Sequence, residues 1–150
     1  MAANDTLLEL VVTLSDSGIT LAEPCMITVK LINRHSDKLR VNRRMAVGYE
    51  KNLSRELFAD IFDRQTKQKA KIWEVDYHRN FPVPTDYVYL EPGESLITTF
   101  NLFEWYLPAS PGKYTLIVYY QADEELAESP EDIVRGVFAS QPKELDVQGD

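Results

Sequence analysis

Few side chains in this sequence could carry out catalysis. The only two histidines, His35 and His78, both lie in turn-like or loop-like stretches. The sequence holds no His-Glu-x-x-His pair for zinc, no glycine-rich phosphate loop and no Gly-x-Ser-x-Gly nucleophile turn. The acidic run at 123–125 brings carboxylates together, but like charges in a polar loop are normally just solvated. We therefore expect a non-enzymatic protein with no catalytic residue, no cofactor and no metal site.

The single cysteine and the absence of targeting segments indicate the compartment. Cys25 cannot form an internal disulfide, and its place in an alternating apolar segment predicts a small buried side chain rather than a reactive thiol. The N-terminus lacks the basic run of a secretory signal, and no stretch approaches the roughly 18 apolar residues of a membrane span. We expect a cytoplasmic protein without a membrane partner. Its 150 residues fit one domain, with an ordered core over about 7–147.

Charge is distributed unevenly along the chain. The formal net charge of -8 disfavours nucleic acid as the main partner. Residues 30–79 nevertheless carry thirteen Lys and Arg against seven Asp and Glu, a net of +6, while the remainder carries -14. These basic residues either form solvated strand edges or supply a docking face for a protein partner. The candidates for such a face are Arg40, Arg43, Arg44, Lys67 and Lys69.

Two further expectations concern side chains that contact a partner. Arg43 and Arg44 lie outside the alternating segments, so reversing both to glutamate should leave the fold intact. Phe81, Trp105 and Tyr106 stand near prolines, where exposed aromatic side chains would suit a protein or carbohydrate contact.

Alternation of apolar and polar residues dominates the sequence and predicts β-strands. Turn signals separate these short runs, and no long helical period interrupts them. The pattern predicts an all-β fold, an immunoglobulin-like antiparallel β-sandwich of seven to eight strands with at most short helices. The clearest predicted strands are 7–14, 25–33, 39–42, 86–90, 96–102, 113–120, 137–140 and 145–147.

The middle third is ambiguous. Leu53, Leu57 and Ile61 have helical i, i+4 spacing. Residues 57–62 also read as a strand that turns at 63–66 and returns through 71–75. We favour this hairpin, because β-branched and aromatic residues line both arms.

Two local features sharpen the sandwich prediction. Pro92 and Gly93 occupy the central positions of a predicted type II turn. Tyr114 follows a Pro-Gly turn at the start of the most apolar late strand. A tyrosine corner would lie there, its hydroxyl bonding an upstream main-chain group.

Four short segments carry a family resemblance: Leu21-Ala22-Glu23-Pro24, Val29-Lys30-Leu31-Ile32-Asn33, Leu90-Glu91-Pro92-Gly93-Glu94-Ser95 and Pro111-Gly112-Lys113-Tyr114. Together they resemble a bacterial immunoglobulin-like module. Similar modules precede deuterolysin-type metallopeptidases and occur in bacterial intracellular proteinase inhibitors. The resemblance concerns turn and core residues, so it implies a fold and transfers no functional residue.

These observations favour a module that binds an unidentified protein through loops or an edge strand, either on its own or as a subunit of a larger assembly. Homo-oligomerisation is compatible with this interpretation. One alternative is a proteinase inhibitor that presents the extended segment 74–87. Another is a carbohydrate-binding module, which would need coplanar exposed aromatic rings.

Overall fold

The computed structural model describes residues 7–14, 19–47, 56–69, 71–72, 86–108, 110–122 and 132–149, and within these ranges β-strands are the main regular structure. A 3₁₀ turn is formed by Leu102–Glu104, and no helix in the described ranges is long and apolar enough to cross a membrane. The all-β prediction is confirmed. The strands are β1 (Leu8–Leu14), β2 (Ile19–Thr20), β3 (Met26–Asn33), β4 (Leu39–Asn42), β5 (Leu57–Asp63), β6 (Lys71–Ile72), β7 (Tyr87–Leu90), β8 (Ser95–Asn101), β9 (Tyr106–Leu107), β10 (Gly112–Gln121), β11 (Val137–Ala139) and β12 (Lys143–Gln148).

The described part of the chain contains twelve strands, more than the seven or eight predicted. β2 and β9 account for part of the excess, because alternation cannot be recognised in two residues. The predicted strand over 57–62 is confirmed by β5, so the helical interpretation of this region is wrong.

A first sheet contains three antiparallel strands in the order β1-β3-β8. Val29, at the middle of β3, lies opposite Val12 on β1 and Thr98 on β8. Alternate residues of β1 and β3 are buried, as the period of two requires when one sheet face packs on a core.

β10 is the central strand of the second sheet. β5 pairs with it along one edge, over Tyr114–Tyr120. β12 and β11 share its other edge, β12 over Gly112–Leu116 and β11 over Tyr119–Gln121. β2 then adds in parallel to β12, so the chain passes from the first sheet into the second between β1 and β2.

Ser140 joins β11 and β12 along the edge of β10. Its main-chain N–H donates to the Val118 carbonyl at 2.8 Å, and its hydroxyl accepts from the Val118 N–H at 3.0 Å. The side chain therefore supplies the acceptor that a regular strand would offer through its main chain. β10 thereby stays bonded across the gap between the two shorter strands.

Two small antiparallel pairs complete the described structure, β4 with β7 and β6 with β9. The second pair corrects the predicted hairpin. The chain does turn after β5, where the Asp63 N–H donates to the Gln68 carbonyl and Phe62 bridges Lys69. Residues 71–72, however, pair with β9 instead of β5, and 73–75 lie outside the described residues.

The inner faces of the two sheets contribute to one buried cluster. Leu10, Ile27 and Leu31 enter it from the first sheet, and Leu116 and Leu145 from the second. Most of these side chains are completely removed from water, and burial of this kind is the main stabilising contribution in a domain of this size.

Asn33, at the end of β3, joins the first sheet to the β7–β8 turn. Its side-chain amide donates to the carbonyls of Leu90, at 2.8 Å, and Asp37, at 3.0 Å. Its main chain bonds Gly93 and Glu94 in the turn. Gly93 has φ of +85°, and the Glu94 N–H donates to the Glu91 carbonyl, which confirms the type II turn.

Two buried tyrosines of β10 form hydrogen bonds with main-chain groups outside that strand. Tyr114 donates to the Ser110 carbonyl at 2.6 Å, so the predicted upstream bond is confirmed. Tyr120 is fully buried, and its hydroxyl both donates to the Asn42 carbonyl, at 3.0 Å, and accepts from the Asn42 N–H, at 3.2 Å. Tyr120 thus ties β10 to the end of β4.

We predict that Tyr120→Phe destabilises the protein more than Tyr114→Phe. Loss of the Tyr120 hydroxyl leaves two buried groups of Asn42 unpaired, at a cost of about 2 kcal/mol or more. Tyr114→Phe should cost about 1 kcal/mol, because the Ser110 carbonyl belongs to an exposed residue that water can reach. Urea unfolding of the two variants measures both free energies. Equal losses would contradict the role assigned to Tyr120.

Burial of the Cys25 thiol predicts how the unfolding free energy changes at alkaline pH. The side chain is 3% exposed, and burial raises the pKa of its thiol to about 11 from the ordinary value near 9. The folded protein therefore holds this proton more tightly than the unfolded chain. The resulting stabilisation is complete below pH 9 and is lost as the pH rises towards 11. Cys25→Ala should show a smaller fall in unfolding free energy across this interval. An unchanged pH dependence would contradict the assignment.

Candidate interaction surface

Part of the face of the second sheet that points away from the core is apolar, where β5 and β10 lie side by side. Phe58 and Phe62 on β5 and Ile117 and Tyr119 on β10 alternate with the buried residues of those strands. All four side chains are partly buried. In an antiparallel sheet with one solvated face, polar residues are expected at such positions. We call these four residues the outer face.

Aromatic stacking organises the outer face. Phe58 and Tyr119 lie directly opposite each other on adjacent strands. Their ring centroids are 4.8 Å apart and the ring planes are inclined by 13°. Cross-strand aromatic pairs of this kind stabilise a sheet and hold both side chains in defined positions. The stack gives the outer face a rigid centre.

Asp60 places a charge inside this apolar surface. Its carboxylate accepts a hydrogen bond from the Tyr119 hydroxyl at 3.0 Å and lies 3.4 Å from the Lys69 ammonium group. Lys69 also stands 5.6 Å from the centre of the Phe62 ring. Partial burial, together with the Asp60 carboxylate, raises the pKa of Tyr119 to about 12. Tyr119 is therefore a neutral hydrogen-bond donor at physiological pH.

Polar and small residues border the outer face. An ion pair of 2.8 Å joins Arg64, in the turn after β5, to Glu144 on β12. Lys67, in the same turn, is exposed. Val137 and Ala139 on β11 extend the apolar surface past Tyr119, and Val137 is 46% exposed.

The structure places the five predicted basic residues in different environments. Lys67 and Lys69 lie beside the outer face. Arg40 pairs with Asp132 at 3.2 Å, whereas Arg43 is exposed. Whether the five share one face stays a prediction, to which the largely buried Arg44 can contribute little exposed charge.

Arg44 has a structural role that the sequence did not reveal. Its guanidinium group binds both carboxylate oxygens of Glu56, at 2.9 and 2.6 Å. The two side chains are only 17% and 5% exposed. Glu56 also accepts from the Ala46 N–H, and the Asn42 side chain accepts from the Arg44 N–H. This largely buried pair argues against the expectation that Arg44 can be reversed without effect on the fold.

Much of the charge of the basic segment is compensated within the molecule. Among the described residues, basic side chains of 30–79 form five ion pairs with carboxylates, three of which come from outside that segment. The pairs are Arg34–Glu9, Arg40–Asp132, Arg44–Glu56, Arg64–Glu144 and Lys69–Asp60. The charge asymmetry of the sequence therefore reflects contacts across the fold as well as exposed charge.

Arg40 belongs to a second small cluster around Tyr89. The Tyr89 hydroxyl donates to Asp132 at 2.6 Å, while Lys38 and Arg40 lie 4.6 and 5.1 Å from its ring centre. The Tyr89 hydrogen bond, with the Arg40 guanidinium beside it, lowers the pKa of Asp132, and the same hydrogen bond raises the pKa of Tyr89. The cluster fixes the chain after residue 131 against the β4–β7 pair.

The predicted aromatic contact is not supported in the described structure. Tyr106 is 3% exposed, and its hydroxyl accepts from the Ala59 N–H at 3.0 Å, so the expected exposure of its ring is wrong. Trp105 is partly buried against the core. Phe81 lies outside the described residues, as do His78, the acidic run at 123–125 and all but the last two residues of the segment 74–87. The aromatic residues of the outer face, Phe58, Phe62 and Tyr119, were not selected from the sequence.

We predict opposite outcomes for two adjacent charge reversals. Arg44→Glu leaves a second carboxylate beside the buried Glu56 and should cost about 3 kcal/mol or more. Arg43→Glu, at an exposed position, should change the unfolding free energy by less than about 0.5 kcal/mol. Chemical denaturation distinguishes them, and similar costs for both variants would contradict the buried pair.

Neither the arrangement of potential metal ligands nor the comparisons with known proteins suggest a specific activity. Within the described ranges, no three His, Cys, Asp or Glu side chains are grouped as a metal site would require. No protein-family model matches the chain, and no curated protein matches its sequence. The outer face is therefore the feature from which a function can be argued.

Proposed function

We propose that this protein is a non-enzymatic module that binds a protein partner through the outer face of the second sheet. The observation that carries the proposal is the position of Phe58, Phe62, Ile117 and Tyr119 on the side of β5 and β10 that faces away from the core. Apolar side chains at these positions add nothing to the inter-sheet core. Contact with another protein would remove them from water.

The composition of the outer face supports a protein partner. Protein interfaces typically have an aromatic centre that is surrounded by polar residues. Here the Phe58–Tyr119 stack provides the centre. Lys69 lies beside it through Asp60, and Arg64 and Lys67 stand in the turn that follows Phe62 at the end of β5. Each stacked ring covers one face of the other, which leaves less ring surface for a sugar. We therefore favour protein over carbohydrate as the ligand.

The basic residues beside the outer face supply the polar part of the proposed contact. Lys67 is exposed in the turn after β5, and Lys69 is 54% exposed despite its pairing with Asp60. Exposed charges of this kind affect the rate of association more than its final affinity. An acidic partner surface around an apolar centre fits these positions best.

We further propose that the two sheets form an immunoglobulin-like sandwich, as the resemblance to bacterial modules implies. The passage of the chain from β1 in the first sheet to β2 in the second supports this proposal. The Tyr114 hydroxyl bonded to Ser110 supports it as well, since it corresponds to a tyrosine corner. The proposed topology would leave the outer face of the second sheet open for binding.

Affinity capture with matched variants tests the proposed function. Phe62→Ser alters the outer face, whereas Val11→Ser alters a partly buried aliphatic residue on the outer side of the first sheet. A stoichiometric protein partner should bind wild type and Val11→Ser but lose at least about tenfold in affinity with Phe62→Ser, because an apolar contact of over 1.4 kcal/mol is removed. Titration calorimetry with the purified partner measures the change.

Two results would contradict the proposal. Equal affinity of all three proteins for the partner would exclude the outer face from the contact. Failure to recover any stoichiometric partner would contradict the binding function itself. Urea unfolding of Phe62→Ser and Val11→Ser provides the control that both variants remain folded.

A further inference from the structure

β8 forms an open edge of the first sheet. It pairs with β3 on one side, and no strand in the described part of the chain pairs with its other side. The Asn33 N–H donates to the Glu94 carbonyl, and the Leu102 N–H to the Cys25 carbonyl. Since antiparallel pairing alternates, residues 96, 98 and 100 also face β3. Ser95, Ile97, Thr99 and Asn101 therefore direct their main-chain groups to the open side.

Three other edges among the described strands carry features that discourage pairing with a further strand. β2 has only two residues, and on β1 Glu9 is ion-paired to Arg34. The outer edge of β5 is bridged by Val47 and by Lys69. β8 has seven residues and contains neither a charged residue nor a proline. Natural edge strands usually contain at least one such feature, so its absence from β8 indicates that this edge has a partner.

The side chains of β8 are apolar or uncharged on both faces. Ile97 is 62% exposed, the highest value among the large hydrophobic residues that the structure describes. Thr99 lies on the same side and its hydroxyl is 3.1 Å from that of Thr28. On the other side, Leu96 and Phe100 are only partly buried at the margin of the core.

We propose that β8 pairs with β8 of a second copy of this chain, antiparallel and about a twofold axis at Thr98. This register places Ile97 opposite Thr99 of the other copy, and Ser95 opposite Asn101. All four residues with open main-chain groups then find hydrogen-bond partners. The two three-stranded sheets become one sheet of six strands.

The register also matches the side chains. Leu96 comes to lie opposite Phe100 of the other copy, so the partly buried residues at the core margin cover each other. A twofold contact requires a surface that is complementary to itself, and β8 meets this requirement without bringing like charges together. This self-complementarity favours a second copy over an unrelated extended segment.

The strength of the contact follows from its size and from the total charge. Pairing of one strand edge is small beside a standard protein interface, so a weak dimer is expected. Each chain carries a formal charge of -8, and two copies repel each other. Salt screens this repulsion, so dimerisation should strengthen as the ionic strength rises. A contact based on opposite charges would show the reverse dependence.

Sedimentation equilibrium over a range of protein concentrations, at low and high salt, tests the proposal. Wild type should form a dimer reversibly, and Ile97→Lys should weaken it at least about tenfold by placing a charge at the paired edge. Val11→Lys, on the opposite edge strand of the same sheet, is the matched control and should dimerise like wild type. Phe62→Ser should also dimerise, which separates this contact from the outer face.

Amide hydrogen exchange tests the register directly. The amides of Ile97 and Thr99 should exchange more slowly as the protein concentration rises, whereas those of Leu96 and Thr98 are bonded to β3 already and should change less. A wild-type chain that stays monomeric up to about 1 mM, the weakest affinity of interest, would overturn the proposal. Equal dimerisation of Ile97→Lys, or concentration-independent exchange at Ile97 and Thr99, would overturn it too.

Discussion

β10 is the strand on which the rest of the second sheet depends, because it is hydrogen-bonded along both edges and carries apolar side chains on both faces. β5 occupies one edge, while β11, Ser140 and β12 together occupy the other. Inward, Leu116 and Tyr120 fill the core and the Tyr120 hydroxyl holds the end of β4. Outward, Ile117 and Tyr119 form a surface that the core does not use. The same strand thus supports both the stability of the domain and its proposed binding surface.

Several charged side chains of the basic segment take part in ion pairs within the fold, which their uneven distribution along the chain does not suggest. Arg44 and Glu56 form a largely buried pair whose hydrogen bonds also satisfy main-chain groups around it. Replacing one member of such a pair leaves the other charge buried and unpaired, which strongly destabilises the fold. The pair therefore stabilises the β4–β5 region and is not available to bind a partner. The more exposed pairs contribute little to stability, but they place Lys69 and Arg64 beside the outer face.

Local pattern was enough to predict most of the fold. Alternation located β1, β3, β8 and β10, and the Pro92-Gly93 turn followed from the conformation that glycine allows. The pairing of β6 with β9 could not be foreseen, since both strands have two residues and lie far apart in the sequence. The environments of Tyr106 and Arg44 could not be foreseen either, because tertiary packing brings their hydrogen-bond partners, Ala59 and Glu56, to them.

The outer face did leave a signal in the sequence. In β5, Phe58 and Phe62 stand at the positions where alternation calls for polar residues, and Ile117 and Tyr119 do the same in β10. A strand that is apolar on both faces is typical of a sheet covered on both sides. The signal is visible without the structure, but only the pairing of β5 with β10 shows that the four side chains share one surface.

Hydroxyl-radical labelling of the purified protein, in buffer and after addition to native cell extract, tests the central claim most directly. Phe58, Phe62 and Tyr119 should react in buffer and become protected in extract, because the proposed partner covers the outer face. Tyr89, which is 46% exposed on the β4–β7 pair, should react equally under both conditions. Unchanged labelling of the three outer-face residues in extract would contradict the account.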